Sequence, residues 1–280
     1  MSTLSDVQRA IETREARWVA AETEYSAVPM SSINGLFGLT VGPDTERRIA
    51  AAGEAAIGFN AAPLPKKINW RSHDEANWVT PVKGQRTCGS CVSFAVVATM
   101  ESMARLAARN PDLAIDLSEA DLFFCGGRNC GEGWEVPGAL QRASEHGVGL
   151  EIDFPYTPVD QACRSIPPAY RVSHWRVLRS REQRKAALAE DGPIIGCMKV
   201  YNDFRYYKTG IYEHVQGDQV GLHAVCIVGY DDTEGCWIVK NSWSETFGED
   251  GYFRIKYGEC CIDDLFASYA LNVVPVSPVA

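Results

Sequence analysis

The chain has 280 residues, 46% of them hydrophobic, which is enough for one large globular domain or two modest ones. Its formal charge of -9 and its lack of a lysine- and arginine-rich run exclude an attractive field for nucleic acid or for an anionic membrane. No apolar stretch approaches the roughly 18 residues that span a bilayer, and the start of the chain lacks the apolar core of a signal peptide. We therefore expect no membrane or nucleic-acid partner and no export signal.

The first predicted element is an amphipathic helix over residues 5–22 with Ser5 as its N-cap, because apolar residues recur there near helical spacing. A second helix is predicted over residues 44–56. The Gly-, Ala- and Pro-rich passage that follows places a domain boundary near residue 62. All ten cysteines come after this boundary, which sets residues 1–62 apart from residues 63–280.

Helical patterns come next along the chain. Apolar periodicity predicts a helix over residues 93–109 that ends before Pro111. Ser118 and Asp121 have the spacing of a capping box, and residues 181–190 are a further helix candidate. This part of the chain is therefore expected to be mainly helical.

Strand patterns dominate from residue 171 onward. Short runs rich in β-branched and aromatic residues alternate there with turn residues. We expect an α+β fold in which a helical subdomain, about residues 75–170, faces an antiparallel, barrel-like β subdomain, about residues 171–272. An active-site cleft would lie between the two. The runs are residues 171–178, 223–230, 235–241 and 251–257.

Three residues carry a pattern for nucleophilic catalysis. Cys91 lies in QRTCGSCVSF, where a helical pattern begins, and His223 and Asn241 lie in GLHAVCIVGY and IVKNSW. A thiol reacts as its thiolate, which both a helix N-terminus and a neighbouring imidazolium stabilise. Each residue alone would usually be structural. Together they supply a nucleophile, an acid–base group and an amide that orients the imidazole.

From Leu64 almost to its C-terminus the chain resembles papain-like cysteine peptidases. The resemblance includes the opening LPKKINWRSHDEANWVTPVKGQ and the intervals of about 130 to 150 residues from the cysteine to the histidine and asparagine. It implies that Cys91 and His223 form a thiolate–imidazolium pair and that Asn241 orients the ring. It also implies that Gln85 is an oxyanion donor and that Trp243 shields the His223–Asn241 bond.

The resemblance also implies the residues that bind substrate. Gly133 would pair with the substrate backbone in an extended, strand-like way. The pocket for the side chain two residues before the scissile bond would be formed by Trp134, Cys197 and Gly221, with Leu265 at its base. This apolar base predicts a preference for aliphatic or aromatic side chains.

Two disulfides are implied by the resemblance, Cys88 with Cys130 and Cys125 with Cys163, and they would suit an oxidising compartment. The alternative is four free thiols in a reducing compartment. A third bridge of many relatives is missing, because the loop before His223 has no cysteine to pair with Cys260. The chain departs from the family pattern at Val92, Glu132 and Phe247, which affects cleft shape rather than the reacting groups.

Residues 1–62 occupy the place of the family's inhibitory prosegment, which crosses the cleft backwards. They are short and lack its helical signature, so a structural extension on the enzyme's back is the alternative.

We expect a monomeric endopeptidase that acts on peptides or proteins, with its own N-terminal segment as intramolecular inhibitor. A transpeptidase using the same acyl-enzyme and an inactive peptide-binding protein remain open. No cofactor is implied, and the five dispersed histidines suggest no metal site.

Overall fold

The computed structural model describes residues 3–29, 33–43, 45, 47, 63–263 and 266–276. The expected α+β class is confirmed: within these ranges, helices pack against one open, nine-stranded sheet. Of the predicted helix over residues 44–56 only residues 45 and 47 are described, and both are helical. The boundary near residue 62 and Leu265 fall on positions outside the described residues. Within the described residues, no helix is both long and apolar enough to cross a membrane.

The N-terminal helix, α1 (Leu4–Arg14), is shorter than predicted. Thr3 rather than Ser5 is its N-cap, because Thr3 and Asp6 exchange side-chain and backbone hydrogen bonds. The helix ends at Glu15, which has a left-handed φ of 52°. Trp18 therefore lies outside the helix and begins strand β1 (Trp18–Ala20).

Three helices form the helical subdomain: α2 (Cys91–Ala107), α3 (Glu119–Phe124) and α4 (Val136–Glu145). Ser118 caps α3 through the backbone N–H of Asp121, as predicted. The Asp121 carboxylate instead accepts a hydrogen bond from the backbone N–H of Gly149, at 2.8 Å. The capping-box prediction is thus right for Ser118 only.

The helix predicted over residues 181–190 is confirmed as α5 (Arg181–Glu190), where Ser180 and Gln183 form a capping box. The predicted runs 171–178 and 223–230 fall within strands β3 and β6, and the runs 235–241 and 251–257 extend one residue beyond each end of β7 and β8. Strands β4, β5 and β9 of this half were not among the predicted runs. The bounds are β2 (Lys67–Asn69), β3 (Tyr170–Leu178), β4 (Ile194–Tyr201), β5 (Tyr207–Tyr212), β6 (Gln219–Asp231), β7 (Cys236–Lys240), β8 (Tyr252–Lys256) and β9 (Ser268–Pro275).

The sheet runs in the order β1-β5-β8-β7-β6-β4-β9-β3, and β2 pairs with β6. Its end strands do not pair with each other, so the barrel is not closed. Strands β5 and β8 are parallel and the other pairs are antiparallel. Helix α2 packs against β6 and β9, which sets the first residue of α2 beside the strand that carries His223.

Candidate active site

Cys91 is the first residue of α2 and is fully buried. Burial raises the pKa of its thiol to about 11, because water no longer solvates the thiolate. Hydrogen bonds from backbone N–H groups, including those of Ala224 and Gly38, oppose part of this rise. The sulfur therefore lies beside two chain segments: the strand just after His223, and residue 38 of the N-terminal region.

His223 lies on β6, and its Nε2 is 2.8 Å from the Oδ1 of Asn241. The same oxygen accepts the backbone N–H of Ser242 at 2.9 Å. The ring of Trp243 is tilted against the imidazole, 5.3 Å away between centroids, and is itself buried. These contacts fix the imidazole plane and leave its Nδ1 without a hydrogen bond in the described part of the chain.

The resemblance predicts a thiolate–imidazolium pair, and covering of the site opposes both charges. Burial lowers the pKa of His223 to about 4, against the opposing effect of the hydrogen bond with Asn241. Burial raises the pKa of Cys91 to about 11, so the charged form of each group is disfavoured while the site is covered. The physical reason is desolvation, since both side chains are fully covered.

Gln85 is buried beside Cys91 in the turn that precedes α2. Its Oε1 accepts a hydrogen bond from the Ser242 hydroxyl at 2.6 Å. Its Nε2 donates to the carbonyl oxygen of Cys88 at 2.9 Å and to that of Leu36 at 3.2 Å. The side-chain amide is thus held in one orientation, and one of its partners again belongs to the N-terminal region.

Residues 33–40, here called the covering segment, run through the cleft. A Cβ on Gly38 would lie 1.7 Å from the carbonyl oxygen of Gly89, so only glycine permits this close approach. Gly38 accepts the backbone N–H of Trp134 at 2.7 Å, and Thr40 donates to the carbonyl oxygen of Trp134 at 2.8 Å. The segment therefore pairs with residue 134 through an isolated bridge at Leu39 and places Gly38 against Cys91.

Five of the six predicted substrate-contact residues meet the covering segment. Phe37 packs over Gly221 and tilts against Trp243, with ring centroids 6.1 Å apart. Gly133 and Trp134 contact Gly38, while Leu39 and Cys197 line one pocket. Leu265 lies outside the described residues. The bridge between Leu39 and Trp134 is parallel.

Comparison with known proteins agrees with this geometry. A family model described as papain family cysteine protease matches residues 64–270. This chain belongs to the papain family of cysteine proteases. It is 30% identical over 263 residues to Cysteine proteinase 1 of Entamoeba histolytica, covering 89% of this chain and 82% of that protein. It is 36% identical over 210 residues to Peptidase 1 of Euroglyphus maynei, covering 70% of this chain and 62% of that protein.

Solved structures have the same fold. Procathepsin B S9 from Trypanosoma congolense superposes with a TM-score of 0.83 at 23% identity, over 99% of both chains. A digestive procathepsin L2 proteinase from the larval midgut of Tenebrio molitor superposes with a TM-score of 0.80 at 23% identity, over 96% of this chain and 88% of that one. The fold of this papain-family protease thus extends over its N-terminal region, which the family model does not include.

Residues 3–29, here called the anchoring segment, bind this papain-family protease along strand β5 and reach the edge of the cleft at Trp243. Strand β1 pairs with β5 in antiparallel fashion. Trp18 packs against the rings of Tyr207 and Tyr212, with centroids 6.2 and 5.1 Å away. Tyr25 stacks on Trp243 at 5.0 Å and donates its hydroxyl proton to the carbonyl oxygen of Trp243. These contacts leave no local pattern in the sequence, because they join residues about 200 positions apart.

The protease contains the disulfides Cys88–Cys130 and Cys125–Cys163, the two pairs that the resemblance implied. The first ties the turn before Cys91 to the loop before Gly133.

Cys226 is a free, buried thiol 3.4 Å from the Thr99 hydroxyl of α2. Among the departures, Val92 is fully buried and Phe247 packs edge-on against Trp243 at 4.9 Å. Both fill the core without occupying the cleft.

Proposed function

We propose that this papain-family protease is an endopeptidase that acts through an acyl-enzyme on Cys91. The Cys91 thiolate adds to the scissile carbonyl carbon, and the resulting oxyanion accepts hydrogen bonds from Gln85 Nε2 and the Cys91 backbone N–H. His223 then donates a proton to the departing amine, and the C–N bond breaks. Water attacks the thioester with His223 as base, which releases the acid and the thiol. Asn241 keeps the imidazole in the required orientation.

We further propose that the covering segment is an intramolecular inhibitor. A substrate has its pocket-filling residue before the scissile bond, so its chain would run from the Cys197 pocket toward Trp243. The covering segment passes Trp243 with Phe37 first and reaches the Cys197 pocket with Leu39 afterwards. It therefore crosses the catalytic groups in the opposite direction to a substrate.

The reversed direction explains why the segment can resist cleavage. The Gly38 backbone N–H donates a hydrogen bond to the Cys91 sulfur. The Gly38 carbonyl oxygen is bonded to Trp134, and the amide of Gln85 is bonded to the carbonyl of Leu36 instead. No single peptide group of the segment is offered to the nucleophile and the oxyanion donor together.

The position of Leu39 supports an apolar substrate pocket. Leu39 is buried in one cluster with Trp134, Cys197 and Tyr269. We propose that aliphatic or aromatic substrate side chains occupy this place after the segment leaves. Peptide libraries on the wild type and on Leu265→Glu test this assignment, and an unchanged preference would count against it.

The reversed covering segment is the observation that carries the proposal. The test is peptide hydrolysis by the full chain before and after limited proteolysis of its N-terminal region, with Cys91→Ser as control. The expected result is little activity before cleavage, strong activity after cleavage, and none in Cys91→Ser. Activity that cleavage does not change would refute the inhibitory role. A cleaved wild type that neither hydrolyses peptides nor reacts with a thiol-directed epoxide would refute the enzyme.

A further inference from the structure

Tyr156 is a half-buried side chain that none of these steps uses. It lies in the segment between α4 and β3, and its ring is fixed by two aromatic neighbours. Phe94 of α2 meets it edge-on with centroids 4.9 Å apart, and Phe124 of α3 stacks on it at 6.4 Å. The direction of the hydroxyl is therefore set by packing.

The Tyr156 hydroxyl makes two hydrogen bonds. It donates to the carbonyl oxygen of Gln85 at 2.9 Å, and its oxygen is 2.7 Å from the Oγ of Ser90. A phenol has one proton, so Tyr156 donates to Gln85 and accepts the Ser90 proton at 2.7 Å, which is shorter than the 3.4 Å from Ser90 Oγ to the carbonyl oxygen of Cys88. Burial also raises the pKa of Tyr156, so the phenol keeps the proton that it donates.

These two contacts lie at the two ends of one turn. Gln85 holds the first proposed oxyanion donor on its side chain, and Ser90 directly precedes Cys91, whose backbone N–H is the second. The turn between them contains Arg86 with a left-handed φ of 54°. Such a backbone needs support from its surroundings, because a non-glycine residue rarely adopts this conformation.

We propose that Tyr156 is a positioning residue that sets the distance between the two oxyanion donors. This inference rests on the proposed function, since the donors matter only if an oxyanion forms on Cys91. Tyr156 itself does not contact the reacting atoms. Its effect should therefore appear in steps that create an oxyanion and be absent from steps that use the Cys91 sulfur alone.

The test compares Tyr156→Phe with Tyr257→Phe in full chains activated by limited proteolysis. Tyr257 also donates its hydroxyl proton to one partner, Asp232, at 2.8 Å, and it is remote from the cleft. We expect kcat to fall about tenfold in Tyr156→Phe, the effect of one hydrogen bond, with KM within about twofold. A peptide aldehyde should bind about tenfold more weakly, because its carbonyl oxygen takes up the oxyanion position once the sulfur adds.

Alkylation of Cys91 by iodoacetamide is the discriminating readout. The sulfur displaces iodide from carbon without forming an oxyanion, so its rate should be unchanged in Tyr156→Phe. Unchanged kcat, or equal losses in aldehyde binding and alkylation, would overturn the inference. If Tyr156→Phe does not fold, Ser90→Ala removes the other hydrogen bond and must show the same pattern. A cleaved wild type without activity would instead overturn the proposed function, and this inference with it.

Discussion

The anchoring segment and the covering segment bind the same enzyme by different physical means. The anchoring segment buries large side chains, Trp18 and Tyr25 among them, and adds strand β1 to the sheet. The covering segment relies on Gly38, whose lack of a side chain lets the backbone lie against Gly89 in the turn before Cys91. The difference teaches that burial of large apolar side chains and close approach of a backbone are separate contributions to the binding of the N-terminal region. We propose that the first keeps this region bound and that the second keeps substrate away from Cys91.

The largest expected effect comes from breaking the anchor. Trp18→Ala removes a buried indole from between Tyr207 and Tyr212 and should lower the free energy of unfolding by about 3 to 5 kcal/mol. The covering segment should then leave the cleft more often, so the uncleaved chain should gain peptidase activity. The neighbouring Val19 is 54% exposed, and Val19→Ala is the control. If Trp18→Ala and Val19→Ala have the same free energy of unfolding and the same peptidase activity, burial of Trp18 does not hold the N-terminal region in place.

The covered histidine should make the uncleaved chain sensitive to acid. The pKa of His223 is about 4 when covered, below its ordinary value of 6.5. Between these two values the unfolded chain binds more protons than the folded chain, so stability is full above pH 6.5 and falls as the pH drops toward 4. The loss should reach about 3 kcal/mol.

Urea unfolding of the wild type and of His223→Asn between pH 7 and 4 measures this loss. The variant should lack the part of the pH dependence that His223 contributes. If the free energy of unfolding falls equally with pH in the two proteins, covering of the site does not hold the imidazole neutral.

Breaking only the contact between Gly38 and Gly89 should have an intermediate effect on the free energy of unfolding. A Cβ on Gly38 would clash with the carbonyl oxygen of Gly89, so Gly38→Ala should displace the segment from Cys91 at a cost of about 1 to 3 kcal/mol. Gly42→Ala is the matched control, because a Cβ there meets nothing within 4 Å. In the uncleaved chain we expect Gly38→Ala to hydrolyse a peptide substrate while Gly42→Ala stays inactive. Two inactive variants would mean that residue 38 does not block the cleft.

The smallest expected loss of stability comes from breaking a polar contact of the anchoring segment. The Glu24 carboxylate accepts hydrogen bonds from Ser244 at 2.6 Å and Thr246 at 2.5 Å and faces Arg86. The carboxylate is partly exposed, so Glu24→Gln should cost no more than about 1 kcal/mol and raise activity of the uncleaved chain a few-fold. Glu12→Gln, on an exposed position of α1, is the comparison. A larger effect than that of Trp18→Ala would reverse the ranking of apolar and polar anchoring.

How much of this structure can be predicted from the sequence depends on how far apart in the chain the interacting residues lie. The α+β class, helix α5 and the positions of four strands follow from local periodicity and capping. The roles of Cys91, His223, Asn241 and Gln85 stay predictions, although the structure gathers these residues in one place. They stood out because few residue types can do this chemistry.

Interactions between distant parts of the chain could not be predicted. Trp18 continues an apolar helical pattern, yet pairing with β5 makes it a strand residue. The covering segment looked like a mixed loop, and its two glycines, Gly35 and Gly38, were the only local signal of a close backbone approach. Tyr156 gave no signal, since its importance comes from two partners that are far away in sequence.

Alkylation of Cys91 by iodoacetamide at pH 7, followed by peptide mass analysis in the full chain and in the cleaved chain, tests the central claim most directly. In the covered state burial raises the thiol pKa to about 11, so Cys91 should be nearly unreactive. Removal of residues 3–43 should restore solvent and the ion pair with His223, and the rate should rise about 100-fold or more. Equal rates in the two forms would contradict the account.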